Sequence, residues 1–180
     1  MVEPISQEHF STLKRTVMLP NGLRLAYIEM GDPNGMPVLL LHGFTDSARS
    51  WSLAAPYLAA GFGVVAPDLR GQWCSGAVLI DEDFLAHARR ESAALPSRIW
   101  HSIYYEQLAY DPSPLLQDIS AATLILRGEK DTIATEEHQA QMKDAIDGAE
   151  LISAPGHGHN IHWEAPEKVA HLILTFLERP

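Results

Sequence analysis

The strongest constraint on this chain is its alternation of short strand-like runs with longer segments of helical spacing. Val38-Leu39-Leu40-Leu41 is continuously apolar, which suits a strand buried on both faces of a parallel sheet. Further strand-like runs follow at Gly63 to Ala66, Thr123 to Leu126 and Glu150 to Ser153. Between them lie helical patterns. The first runs from an Asp46 or Ser47 cap through Ala60 and closes at Gly61, the second spans Glu136 to Ile146, and the last spans Glu167 to Leu177. Such alternation predicts an α/β fold of three layers, with a mostly parallel sheet and helices on both faces.

The N-terminal part departs from that rule. Thr16 to Leu19 and Leu23 to Met30 are joined by Pro20-Asn21-Gly22, whose Asn-Gly pair suits a tight antiparallel hairpin. Asp81 to Tyr110 is helical in pattern and broken at Pro96. Its aromatic-rich part, Ile99, Trp100, Ile103, Tyr104, Tyr105 and Leu108, reads as core packing or the underside of a lid, with substrate contact as the second reading. At 180 residues and 46% apolar, the chain suits one domain over residues 1–180, with 81–112 as a helical lid segment.

Charge narrows the partners. The formal net charge is −10, from 23 acidic against 13 basic residues, and the basic ones form no stripe that could neutralise phosphates. Nucleic acid is therefore not an expected partner. Cys74 is the only cysteine, so neither an internal disulfide nor a cysteine-based zinc site can form. Met1 to Lys14 is polar and mixed in charge, and no later run approaches the ~20 apolar residues of a membrane span. The expectation is a cytoplasmic protein that does not bind membranes and carries no cofactor.

Three stretches carry a resemblance: Val38 to Ser47 with His42-Gly43-Phe44, then Val65-Ala66-Pro67-Asp68-Leu69-Arg70-Gly71, then Thr123 to Leu177. Together they resemble the α/β-hydrolase family, in its esterase, epoxide-hydrolase and haloperoxidase-like branches. The resemblance implies that His42, Gly43 and Phe44 form the oxyanion loop, with the Phe44 backbone N–H as donor. A preorganised donor of that kind stabilises charge that develops only in the transition state. Leu124 to Asp131 resembles the family's acid strand and loop, which makes Asp131 the carboxylate that orients the catalytic imidazole, with Glu129 a weaker candidate. Pro155 to Glu167 resembles its histidine loop, which makes His159 the general base and His157 and His162 flankers.

The family's nucleophile sits in Gly-x-Ser-x-Gly, on a strained turn between a strand and a helix. No such pentapeptide occurs here. Relaxed matches at Ser50 and Ser52 lie in the helix that follows the oxyanion loop, so they lack that context. Between Gly71 and the strand-like Gly76 to Ile80 stand only Gln72, Trp73, Cys74 and Ser75, where the family has a helix, the nucleophile strand and another helix. The resemblance thus implies a scaffold truncated in its nucleophile unit. A parallel crossover needs a dozen or more residues, so four cannot supply one. Exposed inner sheet edges then favour a homodimer, with segment exchange as one route to it.

Cys74 and Ser75 are the candidate nucleophiles, because they occupy the vacant place in the chain. A route without covalent chemistry is equally open: His159, held by Asp131, activates water against a small apolar ester or lactone. Two alternatives stand beside it. One is an inactive relic that binds a ligand or a protein; the other is a metal-dependent hydrolase built on His157, His159 and His162, which have the spacing of a metallo-hydrolase motif but lack its aspartate.

Overall fold

The computed structural model describes residues 2, 5–43, 46–68, 81–94 and 96–179. Helix α1 (Gln7–Thr12) is capped by the Ser6 hydroxyl, which accepts the His9 backbone N–H. Strands β1 (Lys14–Met18) and β2 (Arg24–Gly31) form the expected antiparallel hairpin, with Thr16 opposite Ala26. Strand β3 (Pro37–Leu39) leads to a 3-10 turn (Ala48–Trp51), a short helix α2 (Ala55–Leu58) and strand β4 (Gly63–Pro67). Helices α3 (Glu82–Ala93) and α4 (Ser97–Ala109) follow, then a 3-10 turn (Ser113–Asp118). The C-terminal part is β5 (Leu124–Gly128), α5 (Glu136–Ala145), β6 (Glu150–Ala154), α6 (Ile161–Glu164) and α7 (Pro166–Leu177).

Two sheets form among the described residues. One has the order β1-β2-β4-β3, with β3 and β4 parallel and β2 and β4 antiparallel; the other is the parallel pair β5-β6. Helix α7 joins them. Its Ala170 is fully buried in the main core with Phe10, Ile28, Leu58 and Val64, and its Val169 packs with Ala154 and Ile161 beside the second sheet. Ile173 touches both clusters. A further cluster sets Phe84 and Ala88 of α3 against Trp163, whose ring meets Phe84 edge-on at 5.0 Å between centroids. A buried arginine ties these parts together. Arg49, 4% exposed, donates to Glu91 of α3 at 2.6 and 2.9 Å, to the carbonyl and side-chain oxygens of Gln7, and to Ser11.

Three expectations are corrected. The helix expected from residue 46 to 60 is a 3-10 turn followed by a single helical turn, because Pro56 has no N–H to donate and begins a new helix instead of continuing one. β3 is not buried on both faces: among the described residues only β4 pairs with it, and Leu39 and Leu41 are 61% and 53% exposed. The aromatic face of α4 is not core, since no residue of that helix is buried and Tyr104, Tyr105 and Leu108 are all more than half exposed. Phe44, Cys74, Ser75 and the strand-like Gly76 to Ile80 lie outside the described residues.

Candidate active site

The acid and the histidine meet. Asp131 follows β5, and its Oδ1 accepts the backbone N–H groups of Ile133 and Ala134 at 2.9 and 3.0 Å, which fixes the loop as a tight turn. Its Oδ2 lies 2.9 Å from Nδ1 of His159. Burial pushes the Asp131 carboxyl up, but the hydrogen bonds from His159, Ile133 and Ala134 outweigh that and hold it below the usual carboxylate range. An ionised Asp131 can only accept, so Nδ1 of His159 carries the proton and Nε2 keeps a lone pair. The Asp131 side chain is 3% exposed and that of His159 is 36% exposed: the carboxylate is buried behind a reachable imidazole.

The loop that presents His159 rests on Gly128. A Cβ there would stand 1.9 Å from the Gly158 carbonyl oxygen and 2.5 Å from that of His157, so only glycine lets the histidine loop lie across the end of β5. Lys130 N–H donates to the His157 carbonyl at 2.8 Å, and Gly158 N–H donates to Oε2 of Glu164 at 2.8 Å. Glu129, the weaker acid candidate, accepts the Gly156 N–H instead and makes no contact with His159. His42 is buried at the end of β3 with its Nδ1 3.0 Å from the Gly43 carbonyl oxygen, and Gly43 is exposed.

A second hydroxyl-imidazole contact stands beside the first. Ser50 Oγ lies 2.7 Å from Nε2 of His162 and accepts the indole N–H of Trp163 at 3.0 Å. Although the contact resembles a nucleophile and its base, the physics is against that role. Ser50 is 1% exposed, and burial, followed by repulsion from His159, pushes His162 down to about 3, so it is a very weak proton acceptor. Sequence reasoning treated His162 as a flanker and set Ser50 aside. Their contact spans 112 positions and no local spacing signals it.

The three histidines of the loop turn to three different partners. His157 Nδ1 lies 3.5 Å from Glu164, His159 bonds Asp131, and His162 bonds Ser50. Among the described residues no group of three or more His, Cys, Asp or Glu could hold a metal ion. A cavity of about 390 Å³ opens beside His159 and His162, walled by apolar groups that include Trp51, Leu126, Ile173 and Phe176. No helix among the described residues is long and apolar enough to cross a membrane.

A family described as alpha/beta hydrolase fold matches residues 36–90. In overall shape the chain superposes on a bacterial membrane phospholipase A with a TM-score of 0.74, at 19% identity, over 92% of this chain and 85% of that one. E-2-(acetamidomethylene)succinate hydrolase superposes at a TM-score of 0.73 with 16% identity, over 92% and 99% of the two chains. The chain has the α/β-hydrolase fold. Its sequence is also similar to Epoxide hydrolase A of Mycobacterium tuberculosis, 50% identical over 52 residues, a stretch that spans 28% of this chain and only 16% of that relative. That stretch is too small a share of the relative to transfer its activity. What this α/β-hydrolase-fold chain has in place is a buried, ionised acid and an oriented imidazole at the ends of the second sheet.

Proposed function

We propose that this chain hydrolyses small apolar carboxylic esters or lactones, with His159 as general base. Asp131 orients the ring and supports the imidazolium that forms. The Phe44 backbone N–H, in a loop shaped by His42 and Gly43, serves as the oxyanion donor. The observation that carries this reading is the 2.9 Å contact between Asp131 and His159, which leaves Nε2 of a reachable imidazole free to take a proton. In the non-covalent route Nε2 accepts a proton from water as the water oxygen attacks the carbonyl carbon. The tetrahedral intermediate then collapses, and the alcohol departs with that proton. Positioning and an oxyanion donor alone leave a residual acceleration of ~10³–10⁴ over water in triad enzymes stripped of members. Slow, unselective turnover is the expected scale.

Cys74 and Ser75 are the candidates for a covalent variant of the same reaction. The 390 Å³ cavity is the place for the apolar part of the substrate, and a homodimer covers the sheet edges at β3 and β5, which end the strand orders among the described residues. The test is turnover of a chromogenic short-chain ester by wild type, His159→Ala, Cys74→Ala and Ser75→Ala, and by wild type with chelator. Loss in His159→Ala alone supports base-assisted hydrolysis. Additional loss in Cys74→Ala or Ser75→Ala names a nucleophile. Loss with chelator overturns the metal-free reading, and no activity in any sample leaves a ligand-binding relic.

A further inference from the structure

Glu164, at the end of α6, buries a carboxyl group against the histidine loop. Its side chain is only 1% exposed, and its Oε2 accepts the Gly158 N–H at 2.8 Å. Among the described residues its Oε1 is buried without a hydrogen-bond partner, and so is Nδ1 of His157, 3.5 Å from Oε2. A buried carboxyl bonded through one oxygen opposes stability, so the bond it does make calls for another purpose.

That bond falls on a particular peptide unit. The plane joining His157 to Gly158 is held at both ends: its carbonyl oxygen accepts the Lys130 N–H at 2.8 Å, and its N–H donates to Glu164. A peptide unit is rigid and planar, so two bonds at opposite ends fix its rotation, whereas one leaves it able to swing. The next plane begins at Gly158, whose carbonyl oxygen lies where a Cβ on Gly128 would approach to 1.9 Å. His159 follows directly, and glycine imposes little steric preference of its own on the backbone before it. The direction in which the chain delivers His159 is therefore set by the clamped plane.

The two ends of the clamp come from different parts of the fold. Lys130 lies between the end of β5 and Asp131, so it ties the histidine loop to the acid. Glu164 comes from α6, which is fixed by Trp163: its ring is buried against Phe84, and its indole N–H donates to Ser50. Ala165, with φ −143° and ψ 59°, separates α6 from α7 and leaves Glu164 at the corner between them.

We propose that Glu164 is a positioning residue for His159: it clamps the His157–Gly158 peptide from the end opposite Lys130 and so holds the imidazole with Nδ1 on Asp131 and Nε2 free to take a proton. What the clamp needs is an acceptor at that reach, not a negative charge. The proposal rests on the reading of His159 as general base, yet two arms of its test need no turnover.

The experiment compares wild type with Glu164→Gln, Glu164→Asp and Glu164→Ala. The first keeps an acceptor oxygen at the same reach without the charge, the second keeps the charge but draws the acceptor back by one methylene, and the third removes both. The readouts are hydrogen exchange of the Gly158 amide, the His159 tautomer by long-range ¹H–¹⁵N correlation at pH 8, and kcat and KM for a chromogenic short-chain ester. In wild type and Glu164→Gln the amide is protected, the His159 proton sits on Nδ1, and kcat agrees within about threefold. In Glu164→Asp and Glu164→Ala the amide exchanges at least about tenfold faster and part of the His159 proton moves to Nε2. Their kcat falls about 10- to 100-fold while KM stays within about twofold, the scale of a small misplacement of the reacting group. If Glu164→Ala does not fold, Glu164→Asp and Glu164→Gln decide. A Glu164→Gln variant that shifts the tautomer and lowers kcat assigns the role to charge and overturns the proposal. A folded Glu164→Asp whose tautomer and kcat match wild type overturns it as well, because the residue is then merely structural. Should exchange and tautomer follow the expected pattern in a protein that hydrolyses no ester, this inference stands and the hydrolase reading falls.

Discussion

His159 and His162 stand three residues apart on one loop, and each is anchored by one ring nitrogen to an oxygen less than 3 Å away, yet their surroundings make them chemically opposite. His159 faces an ionised carboxylate and is partly open to solvent, so a positive imidazolium is compensated if it forms. His162 faces a neutral hydroxyl in a largely desolvated site beside another histidine, so the same positive charge is expelled. The lesson is that a short histidine contact does not define a base; the charge behind it and its access do. By that measure one pair is suited to proton transfer and the other to holding a cavity wall in place.

The largest effect expected is on rate. His159→Gln removes the proton acceptor and lowers ester turnover about 10²- to 10⁴-fold, while His162→Gln, which can still bond Ser50, stays within about tenfold of wild type. Steady-state assays of both variants check this, and equal losses would erase the distinction between the two histidines.

Next comes acid stability, where the two residues should also differ. The folded-state pKa of His162 lies near 3, below the 6.5 of an ordinary histidine, so the unfolded chain binds its proton first. Its contribution is therefore fully present above about pH 6.5 and is lost as pH falls toward 3, a change on the order of 4 kcal/mol. Urea unfolding at pH 7 and pH 4 should show a smaller loss for His162→Gln than for wild type.

Asp46 works in the other direction. Its pKa is raised from 3.8 to about 6, so its contribution is present below pH 3.8 and is lost as pH rises through 6. Asp46→Asn should consequently stabilise the protein by about 3 kcal/mol at pH 8 and have little effect at pH 4, read from the same unfolding curves. The smallest effect lies on the His159 side. Thr135 caps α5 through a 3.4 Å bond to the His138 N–H, and Thr135→Ala should cost no more than about 1 kcal/mol at either pH.

Much of this was legible in the chain. The hairpin turns at Asn21-Gly22, the helical region breaks at Pro96, and Asp131 and His159 meet because each sits where a strand-end pattern places it. What could not be read depends on burial and distant partners. Nothing local to Ser50 announces a contact with His162, and nothing local to Arg49 announces that a charged side chain lies buried against Glu91. The apolar run at Val38 to Leu41 and the core-packing reading of the α4 aromatics depart from the structure for one reason. An apolar pattern tells that a surface wants covering, while the covering element must come from elsewhere, and among the described residues β3 has one paired edge and α4 has no buried side.

The most direct test of the opposition between the two histidines is a long-range ¹H–¹⁵N spectrum of the folded protein at pH 8. The account predicts the His159 proton on Nδ1 against Asp131, with Nε2 unprotonated, beside a His162 that carries no charge. A His159 proton on Nε2 would contradict it, because the reaction needs a lone pair there, and so would a positively charged His162.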